Sequence, residues 1–273
     1  MRAKVAHLST RSVRYLEAGS GHAIVLVHAF PLSADQWLPQ CHRVPAGRRM
    51  IAPDLRGFRG AGPAFEDSGL EGVMMDDYAR DILELLSHLD VDRAVVAGLS
   101  MGGYVALAMA RLAPARLAGL LLANTRAGAD SEEGRAGRDR MVALVGREGP
   151  AGVAREMLPK LLGASARRAQ PDLEEAVRRL IEANPSDAVA AAILAMKTRH
   201  DATPFLSSIG CPTGVLWSDE DAIIPRADAE AMAHAIPGAE FTVLAGVGHL
   251  SNLEDPAGFE AALAAVERRA FGG

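Results

Sequence analysis

Gly98-Leu99-Ser100-Met101-Gly102 is the stretch of the 273-residue chain that decides its fold. It matches the pattern Gly-x-Ser-x-Gly, in which a serine lies at a tight turn from a strand into a helix. The apolar run Ala94–Ala97 before it predicts a strand, and a helical pattern begins near Gly103. A strained turn presents the serine hydroxyl, and the glycines leave room for neighbouring backbone. The pattern therefore predicts that Ser100 is a nucleophile.

Short apolar runs alternate with helical patterns on both sides of this turn. The predicted strands are Ala23–Val27, Arg49–Ala52, Ala94–Ala97, Leu117–Leu122, Gly214–Trp217 and Phe241–Leu244. The predicted helices are Asp76–Leu89, Tyr104–Arg111 and Pro256–Arg269. Continuous apolar runs indicate strands buried on both faces, and alternation of strand and helix is typical of parallel crossovers. The predicted fold class is α/β, with a mostly parallel twisted sheet flanked by helices.

The segment from residue 126 to residue 203 contains helix signals and no convincing strand. Its capping residues and prolines predict four helices, over residues 131–147, 151–162, 172–183 and 186–199. Open α/β sheets bind their ligands at the carboxyl edge of the strands. We therefore predict a four-helix lid, residues 126–203, inserted after the sixth strand of a core formed by residues 1–125 and 204–273.

The composition narrows the class of protein. The formal net charge is −5, without a basic excess, which argues against nucleic acid or an anionic membrane as a partner. Only two cysteines occur, so no disulfide framework and no thiolate zinc cluster is expected. The first residues contain no apolar stretch of signal-peptide length. We expect a cytoplasmic enzyme that acts on a small molecule, without metal or organic cofactor, as a monomer or small homo-oligomer.

A nucleophilic serine needs a base, and the base needs a carboxylate that orients it. His249 is the best candidate base because it follows the last predicted strand in a glycine-rich loop. Three carboxylates, Asp219, Glu220 and Asp221, follow the preceding strand. We favour Asp221 because apolar residues and a proline follow it and would shield it from solvent, and Asp219 is the alternative.

The developing oxyanion needs two backbone donors. The N–H of Met101 lies at the start of the helix after the nucleophile. The second donor is expected from the loop after the first predicted strand, as the N–H of Phe30. A simpler interpretation makes Phe30 only an aromatic residue of the core.

Five motifs, in this order along the chain, resemble those of the α/β-hydrolase superfamily. They are Val25–Pro31, Pro53–Phe58, Gly98–Gly103, Asp221–Pro225 and Gly248-His249. The resemblance covers nearly the whole chain and implies the α/β-hydrolase fold. It also implies that Asp54 and Arg56 are structural loop residues. Ala29 departs from the family pattern, which usually has glycine at that position.

Within the superfamily, the Gly98–Tyr104 turn and Asn124–Ala127 look most like small bacterial carboxylesterases close to the 3-oxoadipate enol-lactonase branch. Ser100 stands where dehalogenases and epoxide hydrolases of this fold have aspartate, which disfavours those reactions. We expect a serine carboxylesterase that hydrolyses short- to medium-chain acyl esters through an acyl-enzyme.

Other functions remain open at this stage. The alternatives are a lactonase or carbon–carbon bond hydrolase with the same three residues, a cofactor-free perhydrolase, and a ligand receptor built on the same scaffold. The lid carries apolar side chains, some of which are expected to line a pocket above Ser100 and the rest to pack the lid on the core. They are Met141, Leu144, Met157, Leu158, Leu161, Leu162 and Met196.

Overall fold

The computed structural model describes residues 3–60 and 72–272. It contains one sheet of eight strands, and the predicted mostly parallel α/β architecture is confirmed. The strands are β1 (Lys4–His7), β2 (Ser12–Gly19), β3 (Gly21–Val27), β4 (Gly47–Pro53), β5 (Ala94–Leu99), β6 (Leu117–Ala123), β7 (Thr213–Ser218) and β8 (Glu240–Leu244). Their order across the sheet is β1-β2-β4-β3-β5-β6-β7-β8. All neighbours from β4 to β8 are parallel.

Strands β1 and β2 were not predicted from the sequence. They pair antiparallel with each other, and β2 pairs antiparallel with β4 at that end of the sheet. In β2 the buried Val13 and Tyr15 flank the half-buried Arg14, so the apolar residues alternate with a charged one. Alternation is the pattern of an antiparallel strand with one exposed face, whereas the predicted strands were identified from continuous apolar runs.

Ten α-helices accompany the strands among the described residues. They are α1 (Leu38–His42), α2 (Met75–His88), α3 (Met101–Leu112), α4 (Glu132–Leu161), α5 (Ala164–Ala169), α6 (Pro171–Glu182), α7 (Ser186–Lys197), α8 (Arg226–Ala235), α9 (Ser251–Glu254) and α10 (Pro256–Phe271). Helix α3 begins at Met101, directly after the serine, and not near Gly103 as predicted. Helices α1, α5, α8 and α9 were not predicted.

Helices α4 to α7 lie between β6 and β7, where the helical insertion was expected. The two helices predicted over residues 131–147 and 151–162 are the two parts of α4, which is interrupted at Gly149 (φ 62°). Helix α4 packs against α6 and α7. The division into a core and a lid at residues 126 and 203 stays a proposal. Its first core range, 1–125, includes residues that lie outside the described ones.

The core has two parts, one on each face of the sheet. On one face Tyr78 of α2 and Val105 of α3 are buried with Val96 of β5. On the other face, the rings of Trp37 and of Phe259 in α10 lie 5.3 Å apart. They belong to the buried cluster that contains the β5 side chains pointing to that face. Each fully buried large side chain contributes about 2 kcal/mol to folding. The parallel strands are thereby fixed, and their carboxyl ends meet at one edge.

Candidate active site

Ser100 lies at that edge, between β5 and α3, in a strained backbone conformation (φ 56°, ψ −114°). A non-glycine residue in such a region costs about 1–3 kcal/mol. The two glycines of the motif allow a close approach of backbone. A Cβ at Gly98 would lie 2.2 Å from the carbonyl oxygen of Gly102, and one at Gly102 would lie 2.1 Å from that of Val27. The serine turn is therefore wedged between α3 and the end of β3.

The two expected oxyanion donors belong to the two elements that meet here, the start of α3 and the loop after β3. Met101 is the first residue of α3, and its N–H has no acceptor within the described ranges. The N–H of Phe30, three residues after β3, likewise has no acceptor within them. Backbone N–H groups that are otherwise unpaired can donate to a developing oxyanion. Their role in catalysis stays a prediction.

The loop that carries Phe30 is held by buried hydrogen bonds. The N–H of Ala29 donates to Oε1 of Gln36 (2.9 Å), and the Ala29 carbonyl accepts from Leu32 (2.9 Å). Ala29 has no positive φ, so its methyl group is accommodated without the left-handed backbone that favours glycine. The departure from the family pattern at Ala29 therefore leaves this loop ordered.

His28 is a second support of the same loop, and its role was not foreseen from the sequence. Its Nε2 accepts the N–H of Leu55 (3.1 Å), so Nδ1 carries the hydrogen and donates to the Ala29 carbonyl (3.0 Å). The ring is fully buried, and this burial lowers the pKa of His28 to about 4. His28 is therefore a neutral structural residue at pH 7.

Asp221 and His249 are brought together beyond the carboxyl ends of β7 and β8. Nδ1 of His249 lies 3.0 and 2.9 Å from the two carboxylate oxygens of Asp221. Both side chains are buried. A carboxylate at Nδ1 fixes the ring so that Nε2 is the nitrogen turned away from Asp221 and available as a base.

Three further donors stabilise the Asp221 carboxylate in its ionised form. The N–H groups of Ile223 and Ile224 donate to Oδ1 at 2.8 and 3.1 Å, and Nδ2 of Asn124 donates to Oδ2 at 2.9 Å. Burial raises the pKa of Asp221, but the charge and hydrogen bond of His249, with the bonds from Asn124 and Ile223, outweigh it and lower the pKa below its usual range. No role of Asn124 was predicted from the sequence, although its place directly after β6 could have indicated one.

The other two carboxylates of this loop point elsewhere. Asp219, the alternative partner of the histidine, is exposed and accepts the N–H of Gly246 (2.7 Å). Glu220 accepts from the N–H and hydroxyl of Ser165 at 2.8 and 2.6 Å. Of the three, only Asp221 hydrogen-bonds His249.

Hydrogen bonds at the ends of β5 and β6 attach Ser100 to the segment that carries Asn124, the partner of Asp221. Its N–H donates to the carbonyl of Ala123, and its own carbonyl accepts from Oγ1 of Thr125 (2.8 Å). Within the described part of the chain no hydrogen bond joins Ser100 to His249. Catalytic hydrogen bonds commonly form only once substrate is bound. Proton transfer between these two residues therefore belongs to the proposal below.

Glu254 holds the loop of His249 and was also missed in the sequence. Its buried carboxylate accepts three N–H groups, from Gly163 (2.9 Å), Gly248 (2.8 Å) and Leu250 (3.0 Å). Two of these peptides flank His249, and the third lies between α4 and α5. The signal in the sequence was a carboxylate five residues after the histidine, just before the last predicted helix.

A cavity of about 510 Å³ lies between α4 and the loop of Phe30. Of the seven apolar lid side chains considered above, Met141, Leu144 and Met157 line it. The others are buried in the core, namely Leu158, Leu161, Leu162 and Met196. Three of the seven side chains therefore line this cavity and four are packed in the core, and the position of the pocket above Ser100 stays a prediction.

Asp54 and Arg56 are held in structural ion pairs. Asp54 pairs with Arg14 and accepts the N–H of Ala34 (2.7 Å), while Arg56 forms two hydrogen bonds to Asp81. No group of three or more His, Cys, Asp or Glu side chains within residues 3–60 and 72–272 could hold a metal ion. In the same ranges, no helix combines the length and apolarity that a membrane span needs.

Known proteins of the same fold class are similar to this chain in sequence. The model of a family described as "Alpha/beta hydrolase family" matches residues 24–262. A relative in Pseudomonas putida, the dihydrolipoyllysine-residue acetyltransferase component of the acetoin cleaving system, is 34% identical over 91% of this chain. The match spans only 65% of that relative's length.

Two solved structures are similar over almost their full length. A thermophilic esterase from Thermogutta terrifontis, determined with malate bound, has 37% identity and a TM-score of 0.92, covering 99% of each chain. The enol-lactonase from Burkholderia xenovorans has 25% identity and a TM-score of 0.87, covering 97% of this chain and 99% of its own.

Proposed function

Because the chain belongs to the alpha/beta hydrolase family, we propose that it is a serine carboxylesterase that hydrolyses short- to medium-chain acyl esters. Ser100 is the nucleophile, His249 the base and Asp221 the carboxylate that orients it. The observation that carries the proposal is the buried Asp221–His249 pair at the sheet edge that also presents the strained Ser100. The similarity to the Thermogutta esterase supports this choice of reaction.

In the first half of the reaction, Nε2 of His249 removes the hydroxyl proton of Ser100 as its oxygen attacks the ester carbonyl. The N–H groups of Met101 and Phe30 hold the resulting oxyanion. The imidazolium then gives the proton to the leaving alcohol oxygen as the carbon–oxygen bond breaks. The products of this half-reaction are the free alcohol and an acyl group on Ser100.

In the second half, His249 removes a proton from water, whose oxygen attacks the acyl carbonyl. The proton returns to the oxygen of Ser100 as the acid leaves, which restores the enzyme. Asp221 stays ionised throughout, because its pKa lies below its usual range, and it stabilises the imidazolium of both steps.

A lactonase is the second candidate, and the similarity to the enol-lactonase from Burkholderia favours it. The same residues would act, but the leaving oxygen would remain attached to the acyl group after ring opening. Hydrolysis rates for a panel of lactones against matched open-chain esters separate the two functions. We further propose a monomer or small homo-oligomer in the cytoplasm that uses no cofactor.

Replacing Ser100 by alanine tests the proposal. The variant should lose turnover of p-nitrophenyl acetate and butyrate while keeping the melting temperature of the wild type. Ser208→Ala, at an exposed position remote from the sheet edge, is the control and should keep full activity. A fluorophosphonate probe should add its mass to the wild type and not to Ser100→Ala. Turnover retained in Ser100→Ala would refute the assignment.

A further inference from the structure

The cavity beside Phe30 has a strongly basic wall in a chain whose net charge is −5. Five of the seven charged residues that line it are basic. They are Arg126, Arg138, Arg140, Arg147 and Lys160, against Asp130 and Glu156. A wall with a surplus of one charge sign attracts ligands of the opposite charge.

The acidic residues of the wall do not neutralise this charge. Asp130 is buried, and three guanidinium groups share its carboxylate: Arg126 at 2.8 Å, Arg138 at 3.0 Å and Arg199 at 2.8 Å. Arg126 also lies 3.7 Å from the carboxylate of Asp228, so three positive charges face two negative charges. Glu156 pairs with its neighbour on the helix, Lys160, at 2.7 Å, so this second pair cancels without reducing the surplus.

Donors within the wall remain available. The exposed guanidinium of Arg140 forms no ion pair or hydrogen bond with any described residue. Nε of Arg126 is buried and has no acceptor. Arg138 uses Nε for Asp130, and about a quarter of its side chain is exposed (23%). A buried or half-buried guanidinium with unused N–H groups is typical of a carboxylate-binding position, because its planar fork matches two oxygens.

Apolar side chains line the same cavity as the basic residues. Phe30, whose N–H is the proposed oxyanion donor, contributes its side chain to the same cavity. Met141, Leu144 and Met157 line the space beside the arginines. A substrate with its scissile carbonyl at Ser100 would place a short aliphatic stretch against these side chains and its far end against the guanidinium groups.

We propose that the preferred substrate carries a free carboxylate at the end of its acyl chain, bound by Arg138 and Arg140 on α4 with Arg126 beside them. The substrate class is the monoester of a dicarboxylic acid. This inference rests on the proposed function and adds the recognition of a second charged group to it.

A matched pair of esters tests the inference. Mono-p-nitrophenyl glutarate and p-nitrophenyl pentanoate have acyl chains of equal length, and only the first ends in a carboxylate. The wild type should have a kcat/KM at least about tenfold higher for the charged ester. This ratio should fall about fivefold in Arg138→Gln and in Arg140→Gln, and further in Arg140→Glu. It should also fall as salt is raised, because the charges are screened.

Arg155→Gln is the control, since Arg155 lies on the same helix, is exposed and pairs with Glu148 outside the cavity wall. It should leave the ratio unchanged. A wild-type ratio near one, or equal effects of Arg140→Gln and Arg155→Gln, would overturn the inference, whereas hydrolysis of the pentanoate ester would still support the esterase. Loss of all turnover would refute the esterase instead.

Calorimetric titration with glutarate and with pentanoate measures the same preference without turnover. Glutarate should bind the wild type at least tenfold more tightly than pentanoate, and Arg140→Glu should remove that difference. Equal affinity of the wild type for both acids would contradict the inference even if the protein hydrolyses no ester.

Discussion

The charged side chains at the carboxyl edge of the sheet differ from those on helix α4 in burial and in hydrogen bonding. At the edge, the carboxylates of Asp221 and Glu254 are buried and each accepts several hydrogen bonds from fixed backbone. On α4, Arg140 and Arg155 are exposed, and the first has no partner within the described ranges. Groups that carry out a reaction must be held within fractions of an ångström, whereas groups that attract a substrate need only be near it. The difference supports the proposals that the reaction takes place at the edge and that the helix selects the substrate.

The largest expected effect is the loss of kcat when the carboxylate of Asp221 is replaced. Asp221→Asn should lower kcat for p-nitrophenyl butyrate about 10⁴-fold, because an amide at Nδ1 favours the wrong tautomer of His249. Asp219→Asn, two residues away and exposed, should lower it less than tenfold. Steady-state kinetics on both variants, with melting curves, make the comparison. Equal losses in the two variants would mean that the histidine is not oriented by Asp221.

Acid should destabilise the edge through His28. Its pKa is lowered by burial to about 4, so between pH 6.5 and 4 the unfolded chain takes up a proton that the folded chain does not. The free energy of unfolding should therefore fall with pH across this window, by about 3 kcal/mol from this residue alone. Below pH 4 this contribution no longer changes.

Urea unfolding at several pH values measures this loss. His28→Gln should show a shallower fall than the wild type, and the exposed His42→Gln should show the same fall as the wild type. If the variant at His28 does not fold, NMR titration of the wild type replaces it. Protonation of the His28 ring near pH 6.5 in the folded protein would contradict the prediction.

The sequence was sufficient for the parallel part of the fold because its strands are continuous apolar runs, such as Ala94–Ala97. It was sufficient to propose Ser100, since the glycine spacing reflects a steric need that the structure shows at Gly98 and Gly102. It failed for the antiparallel strand Ser12–Gly19, whose alternating pattern is weaker than a continuous run. The superfamily resemblance of the motifs is confirmed by the family match.

Long-range polar contacts could not be predicted in the same way. Glu254 joins peptides 91 and 6 residues away in the chain, and no local pattern specifies such partners. The arginines of α4 were visible as charges, but their convergence on Asp130 needed the folded arrangement of Arg126 and Arg199. Contacts between side chains and partners that are distant in sequence are therefore the part of the site that could not be predicted from the sequence.

Replacing Glu254 by glutamine should have an intermediate effect. Glutamine places an NH₂ group where one carboxylate oxygen accepts an N–H, so two donors face each other and the loop of His249 must shift. This displacement of the His249 loop should lower kcat about 10- to 100-fold with little change in KM. Glu220→Gln is the control because Glu220 binds Ser165 in the same segment without contacting the peptides beside the histidine. Equal losses of kcat in both variants would show that the general attachment of this segment, and not the histidine loop, is what matters.

The smallest expected effect is a change in acyl-chain preference, and it should differ between two neighbouring positions on opposite faces of α4. Met157 lines the cavity, whereas Leu158 is only 2% exposed and packs in the core. Met157→Ala should enlarge the cavity and raise the kcat/KM ratio of p-nitrophenyl pentanoate to butyrate about fourfold, since the one added methylene group gains about 0.8 kcal/mol when it is buried. Leu158→Ala should leave that ratio unchanged and lower the free energy of unfolding by about 2–5 kcal/mol. A chain-length profile that responds to Leu158 and not to Met157 would mean that the acyl chain binds elsewhere, and α4 would then lose its assigned part in the choice of substrate.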